Sequence, residues 1–266
     1  MSLGWRSALL GFLMLFWQLP AWADGTITHL SGGVTVLKAD GQKLTATQGL
    51  KVFTGDTLLT GDKGYVRVEL SDGGEMVLRP DTQLQVKSYR FVKEKPAEDS
   101  LVFGVLKGGL RKITGAIGKR GNPEAYQINT TTATIGIRGT QFDIRVCQGN
   151  CGSLPDGTYL SVRYGIMEVV NAQGSLIVSA GQFAYIPPDG PPTLLPRDPG
   201  IGFTPPSTIP RLDERRSNRG DVSPGTPSGS SGSSGGPAPA LLEGTNALPT
   251  VRVVTEDEGV LQCSVE

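Results

Sequence analysis

Short runs of alternating apolar and polar residues, separated by turn dipeptides, fill the chain from Gly25 to Ile186. Val66, Val68 and Leu70 share one side of a strand, and Tyr65, Arg67 and Glu69 the other. After Ser71-Asp72-Gly73-Gly74, Met76 and Leu78 continue the apolar face, so Tyr65 to Arg79 predicts a β-hairpin that Leu84 and Val86 extend. Phe142, Ile144 and Val146 alternate with Gln141, Asp143 and Arg145, the period of a half-buried strand. Gly136 and Gly139 mark a bulge or sharp bend just before it. Tyr126 and Ile128 form a short alternation, and Leu160, Val162, Tyr164 and Ile166 a longer one. No amphipathic helix stands out; the charged segment Phe91 to Ser100 reads as an exposed loop or a single helical turn. A weak internal repeat is present. Gly33 to Gly41, followed by Leu44 and Gly49, matches Gly165 to Gly174, followed by Leu176 and Gly181. Each copy reads as strand, tight turn, strand and glycine kink. The fold class is all-β, with stacked short antiparallel hairpins in a sandwich or a short β-solenoid. The 37 glycines and 6% aromatic content favour the same class.

The ends read differently. Arg6, the apolar run Ala8 to Trp17 and Ala21-Trp22-Ala23 form an export-signal pattern over residues 1–23, with the mature chain starting near Asp24. The apolar run is shorter than the about 20 residues a spanning helix needs, so no transmembrane segment is expected in the mature chain. Residues 24–186 are expected to form one folded unit. Fourteen of the 19 prolines lie in residues 187–249, with a Gly/Ser tract at 228–236. Residues 187–250 therefore read as a disordered linker. Residues 251–266 form a short tail, apolar at Val251 to Val254 and acidic at Glu256 to Glu258. It reads either as a frayed end or as a docking peptide that adds a strand to a sheet edge. Lys and Arg together equal Asp and Glu at 25 each, so nothing global draws the chain to nucleic acid.

Catalytic chemistry is sparse. His29 is the single histidine, no Gly-x-Ser-x-Gly elbow occurs, and no catalytic residue, cofactor or metal site is assigned. Asp56, Asp62 and Asp72 flank glycines as turn residues do, at no calcium-loop spacing. Cys147 and Cys151 read as a local disulfide worth roughly 2 kcal/mol in an oxidising compartment. A metal pair is the rival reading, without a second Cys or His pair beside it. Cys263 is left over. Lys107, Arg111, Lys112, Lys119 and Arg120 lie in a glycine-rich stretch with no acid from 100 to 123. It reads as a loop for an anionic partner or as a merely solvated one; P-loop spacing fails.

Several pieces, in order, resemble the FecR family. They are Gly55-Asp56 to Gly61, Tyr65 to Leu70 with Asp72-Gly73, Leu106 to Arg111, Thr132 to Ile135 with Gly139-Thr140-Gln141-Phe142, and Gly165 to Val170 with Gly181-Gln182. The resemblance implies an exported all-β sensing or signal-relay domain without catalytic residues. In it Gly136, Arg138, Gly139, Thr140 and Phe142 form the structural motif. Full-length regulators of that family carry an anti-sigma segment and one membrane helix ahead of this domain; here an export signal stands in that place, so direct control of a sigma factor is not expected. The expectation is a periplasmic or secreted binding module of a Gram-negative-type envelope, whose partner is an envelope protein or an anionic glycan or lipid surface. A cell-wall-directed enzyme and a surface-displayed structural protein are the alternatives.

Overall fold

A computed structural model describes residues 24–120, 122 and 124–212. The expected export signal at 1–23, residues 213–250, and the expected tail 251–266 with Cys263 lie outside the described residues. Among the described residues fifteen strands join one sheet. In order they are β1 Gly25–Ser31, β2 Val34–Leu37, β3 Lys43–Thr45, β4 Lys51–Val52, β5 Thr57–Thr60, β6 Tyr65–Leu70, β7 Glu75–Leu78, β8 Gln83–Arg90, β9 Ser100–Ile113, β10 Tyr126–Asn129, β11 Thr134–Cys147, β12 Gly157–Asn171, β13 Gly174–Ser179, β14 Phe183–Ile186 and β15 Thr193–Leu195. Two single 3-10 turns, Pro96–Glu98 and Ile117–Lys119, complete the elements. The all-β expectation holds, and β6–β7 is the hairpin read from the alternation. Every pairing is antiparallel except β9 with β10, which is parallel. No helix among the described residues is long and apolar enough to cross a membrane.

Three strands of 14 or 15 residues organise the sheet. Each changes partner at a glycine. β9 pairs with β8 and β10 before Gly108, and with β7 and β11 after it. β11 exchanges β10 for β9 across Gly139. β12 exchanges β14 for β13 across Gly165. The sheet thus turns corners, and its inner faces share one apolar cluster that includes Val68, Leu78, Phe103, Leu110, Phe142, Val162 and Val169. Corner strands of this kind bend where no Cβ resists.

The internal repeat is visible in the hydrogen bonds. Gly49 N–H donates to Ile27 O at 2.8 Å and Ile27 N–H to Leu50 O at 2.9 Å. In the second copy Gly181 N–H donates to Val162 O at 2.8 Å and Val162 N–H to Gln182 O at 3.1 Å. Both kink glycines have positive φ, +86° and +81°.

Residues 187–212 differ from their expectation as the start of a linker. β15 pairs with β14, and Ile201, Ile209 and Leu212 are buried. Proline blocks helix here but not burial. The prolines keep the chain extended, and the apolar residues between them reach down to the sheet as a strap.

The bulge read at Gly136 and Gly139 lies between Arg138 and Gln141, so it centres on Gly139. Gly139 has φ +56°, and a Cβ there would meet nothing closer than 3.8 Å. Gly165, beside it on β12, has φ +83°, and a Cβ would lie 2.5 Å from Gly139 O and 2.7 Å from Thr140 Cγ2. Gly139→Ala therefore costs only the left-handed strain of about 1–2 kcal/mol. Gly165→Ala adds a backbone collision, and urea titration should find it less stable than Gly139→Ala by about 2 kcal/mol or more.

A candidate interaction surface on the outer sheet face

The signature residues are structural. Phe142 is fully buried. Thr140 is buried as well, and its carbonyl accepts the Thr114 N–H at 3.0 Å. Gly136 sits mid-strand opposite Glu168. Arg138 is exposed, with Nη2 3.9 Å from Glu168. The Cys147 and Cys151 sulfurs are bonded, their Cα atoms 5.5 Å apart.

The five basic residues read as one loop do not share a surface. The stretch up to Ile113 is strand β9, so Arg111 and Lys112, adjacent in sequence, point to opposite faces. Arg111 Nε donates to Asp143 at 2.7 Å on the outer face. Lys112 points into the core, fully buried, and its Nζ finds no hydrogen-bond acceptor. Arg120 pairs with Asp99 at 3.2 Å, donates to Val92 O and lies over the Phe91 ring. Only Lys107 and Lys119 are exposed.

Lys112 is a charged group held in the apolar core without a hydrogen-bond acceptor. Its ammonium lies 5.4 Å from the Phe103 ring centroid and 5.5 Å from that of Tyr126. Burial pulls its pKa from 10.5 to about 8, a shift that the nearby Asp72 and Glu75 only partly oppose. Burial likewise pushes the Tyr126 hydroxyl up, with Asp72 acting in the same direction. Asp72 is committed elsewhere: its carboxylate accepts the N–H groups of Gly74 and Ile117 at 2.9 and 3.2 Å.

The outer face carries the features sequence reasoning missed. Arg67, wholly buried, donates through Nη1 to Pro210 O at 2.7 Å and pairs through Nη2 with Glu75. Arg79 Nη1 donates to Ile201 O at 3.1 Å. Phe203 lies 5.2 Å from the guanidinium carbons of both Arg79 and Arg111, and its ring is 6.3 Å from that of Tyr65. Asp143 anchors both Arg111 and Arg163. Burial, then the neighbouring Arg145, lowers Arg79 to about 10. The cations Arg67, Arg79, Arg111, Arg145 and Arg163 stand against the carboxylates Glu69, Glu75, Asp81 and Asp143, and strap residues 199–210 bring no charge of their own. Alternation did place Asp143 and Arg145 outward. The missing signal was the spacing of Ile201, Phe203, Ile209 and Leu212 among prolines.

At and beyond the Gly165 corner, β12 and β13 carry the exposed apolar side chains Tyr164, Ile166, Val170 and Ile177. Glu168 sits among them, opposite Ile177, so the exposed surface mixes apolar side chains with one carboxylate, a composition suited to contact with a partner. Shape, charge and apolar contact are what this face can offer a partner.

The Lys112 environment yields a pH prediction. The unfolded chain keeps this proton up to about 10.5, whereas the folded chain releases it near 8. Between those values unfolding takes up a proton, so the burial penalty is full below pH 8 and fades as pH rises. The stability of the wild type relative to Lys112→Met should rise by about 2–3 kcal/mol between pH 7 and pH 10 in paired urea titrations.

A family model described as FecR protein matches residues 56–164. No curated protein matches the chain. Two crystal structures of a protein from Parabacteroides distasonis, provisionally described as an anti-sigma factor, are similar at 14% and 15% identity with a TM-score of 0.42. Each similarity covers 52% of this chain and 58% of the other, so the chain spans little more than half of their length. A cell surface anchoring domain is 39% identical over 23% of this chain and 82% of its own, with a TM-score of 0.23. The matched segment runs from Asp56 in the β4–β5 turn, through the Gly139 bulge, to Tyr164 at the corner of β12. Over residues 56–164 this chain is similar to the FecR family.

Proposed function

We propose that this chain is an exported, non-catalytic FecR-type module that senses or relays a signal, or assists assembly, in a Gram-negative-type envelope by binding another envelope protein. The observation that supports this reading most is the exposed side of β12 and β13, which presents Tyr164, Ile166, Val170 and Ile177 with Arg138 and Arg163 beside them on β11 and β12. Aromatic and arginine side chains on a preorganised scaffold are the usual anchors of protein interfaces. The anionic glycan or lipid reading narrows to Lys107 and Lys119, the two members of the basic stretch left exposed. Two lysines make a weak, salt-screened site.

Photo-cross-linking in the native envelope separates these readings. A photoreactive residue at Tyr164 or Ile166 should capture a discrete protein partner, while one at Lys43, on the edge strand β3, should not. Lys107→Glu with Lys119→Glu should leave that capture unchanged. Loss of capture in the double variant, or equal capture from Lys43, would overturn the assignment of the surface.

A further inference from the structure

The exit of β11 holds two sulfurs in unlike surroundings. Cys147, the last residue of β11, is 1% exposed and packs with Tyr159 and Ile201. Cys151 is half-buried, between the exposed Asn150 and Gly152. Arg145 donates through Nε to Cys151 Sγ at 3.0 Å and through Nη2 to Asn150 O at 3.1 Å. Arg79 adds a second positive charge near that guanidinium, Asp81 faces it, and Asp156 accepts the Gly149 N–H at 2.6 Å. The loop has anchors besides the disulfide. The Tyr159 hydroxyl donates to Pro155 O at 3.0 Å and the Tyr185 hydroxyl to Asp156 O at 2.7 Å. A Cβ at Gly149 or Gly152 would meet nothing within 4 Å, so the segment ahead of those anchors has room to move.

We infer that the Cys147–Cys151 disulfide is a reversible exchange site for a dithiol oxidoreductase, with Cys151 as the exchanging sulfur and Arg145 as its positioning residue. Access selects Cys151, because Cys147 lies under Tyr159 and Ile201. Charge selects it too: a guanidinium in contact with a sulfur stabilises the thiolate. Both features favour the reduced form, and a bridge across so short a loop constrains the unfolded chain little. Disulfides that are reachable and leave a stabilised thiolate are the labile ones. In the reducing direction a thiolate of the oxidoreductase attacks Cys151 Sγ. The bond between the two cysteines breaks, and Cys147 leaves and takes up a proton. The second thiolate of the oxidoreductase then attacks its own sulfur in the mixed disulfide and releases Cys151 as a thiolate beside Arg145. Two electrons pass, and the dithiol becomes a disulfide; the reverse sequence reoxidises this chain. The consequence is local. Leu154 and Pro155 line a groove of about 560 Å³ with Tyr185, Leu195 and Pro196, so the redox state sets how firmly one wall of that groove is held.

The test uses the full chain with Cys263→Ser, which keeps that thiol out of the assay. After reduction, peptide mapping should find Cys151 alkylated by iodoacetamide about tenfold or more faster than Cys147. Equal labelling overturns the inference, whether it comes from equal access or from an unfolded reduced chain. In Cys147→Ser, oxidised glutathione should leave one glutathione on Cys151. The midpoint of the alkylation pH profile should lie below the ordinary thiol value. Adding Arg145→Gln should move that midpoint up and slow alkylation at about pH 6.5 about fourfold or more. A profile that Arg145→Gln leaves unmoved, or an unmodified Cys151, overturns the inference. Hydrogen exchange of residues 148–154 should rise about tenfold or more on reduction; identical exchange in the two redox states removes the link to the groove. None of these readouts depends on Tyr164 or Ile166, so the outcome is independent of the partner surface proposed above.

Discussion

A sheet that covers both sides of one core has to turn corners, and everything else here follows from how three long strands do so. β9, β11 and β12 each change neighbours at a glycine. At the Gly139–Gly165 contact the two backbones approach so closely that a Cβ on Gly165 would strike Gly139 O. This approach sets Phe142 into the core and leaves Arg138 and Ile166 on the outside. The family signature is therefore a piece of architecture: it shapes a corner, and the corner decides which residues of β12 face out.

The outer face combines two chemistries that rarely sit together in a small β-body. Guanidinium groups project from the outer face, and an uncharged proline-rich strap crosses them with carbonyls and one aromatic ring. Hydrogen bonds from Arg67 and Arg79 go to strap carbonyls, and Phe203 caps Arg79 and Arg111. Hydrogen bonds to charged donors contribute roughly twice what neutral ones do. The strap is thus held by polar contacts at its ends and by Ile209 and Leu212 at its exit.

Much of this was legible in the sequence. Period-two alternation located β6, β7, the second half of β11 and the first half of β12, because one-sided burial writes itself into every second residue. The repeat was legible because both copies need the same kink glycines, Gly49 and Gly181. Three things were not legible. Arg111 and Lys112 looked like one basic surface because charge alone does not reveal which side of a strand a residue takes. A fully buried lysine breaks the rule that charges stay outside, and nothing local announces it. The strap lacked periodicity, since an extended proline-rich segment buries residues at intervals set by the surface beneath it rather than by its own geometry.

The Arg67–Pro210 hydrogen bond joins positions 143 residues apart in the chain. Contacts of such wide sequence separation form late and slow assembly, because most of the polymer must be present before they can close. During synthesis the hairpin that carries Arg67 is made long before its strap exists. The guanidinium, buried in the finished molecule, meets water until the last segment arrives. This chain completes its tertiary structure only after nearly all of the β-body has been synthesised, and until then it is a ready client for whatever machinery handles unfolded chains.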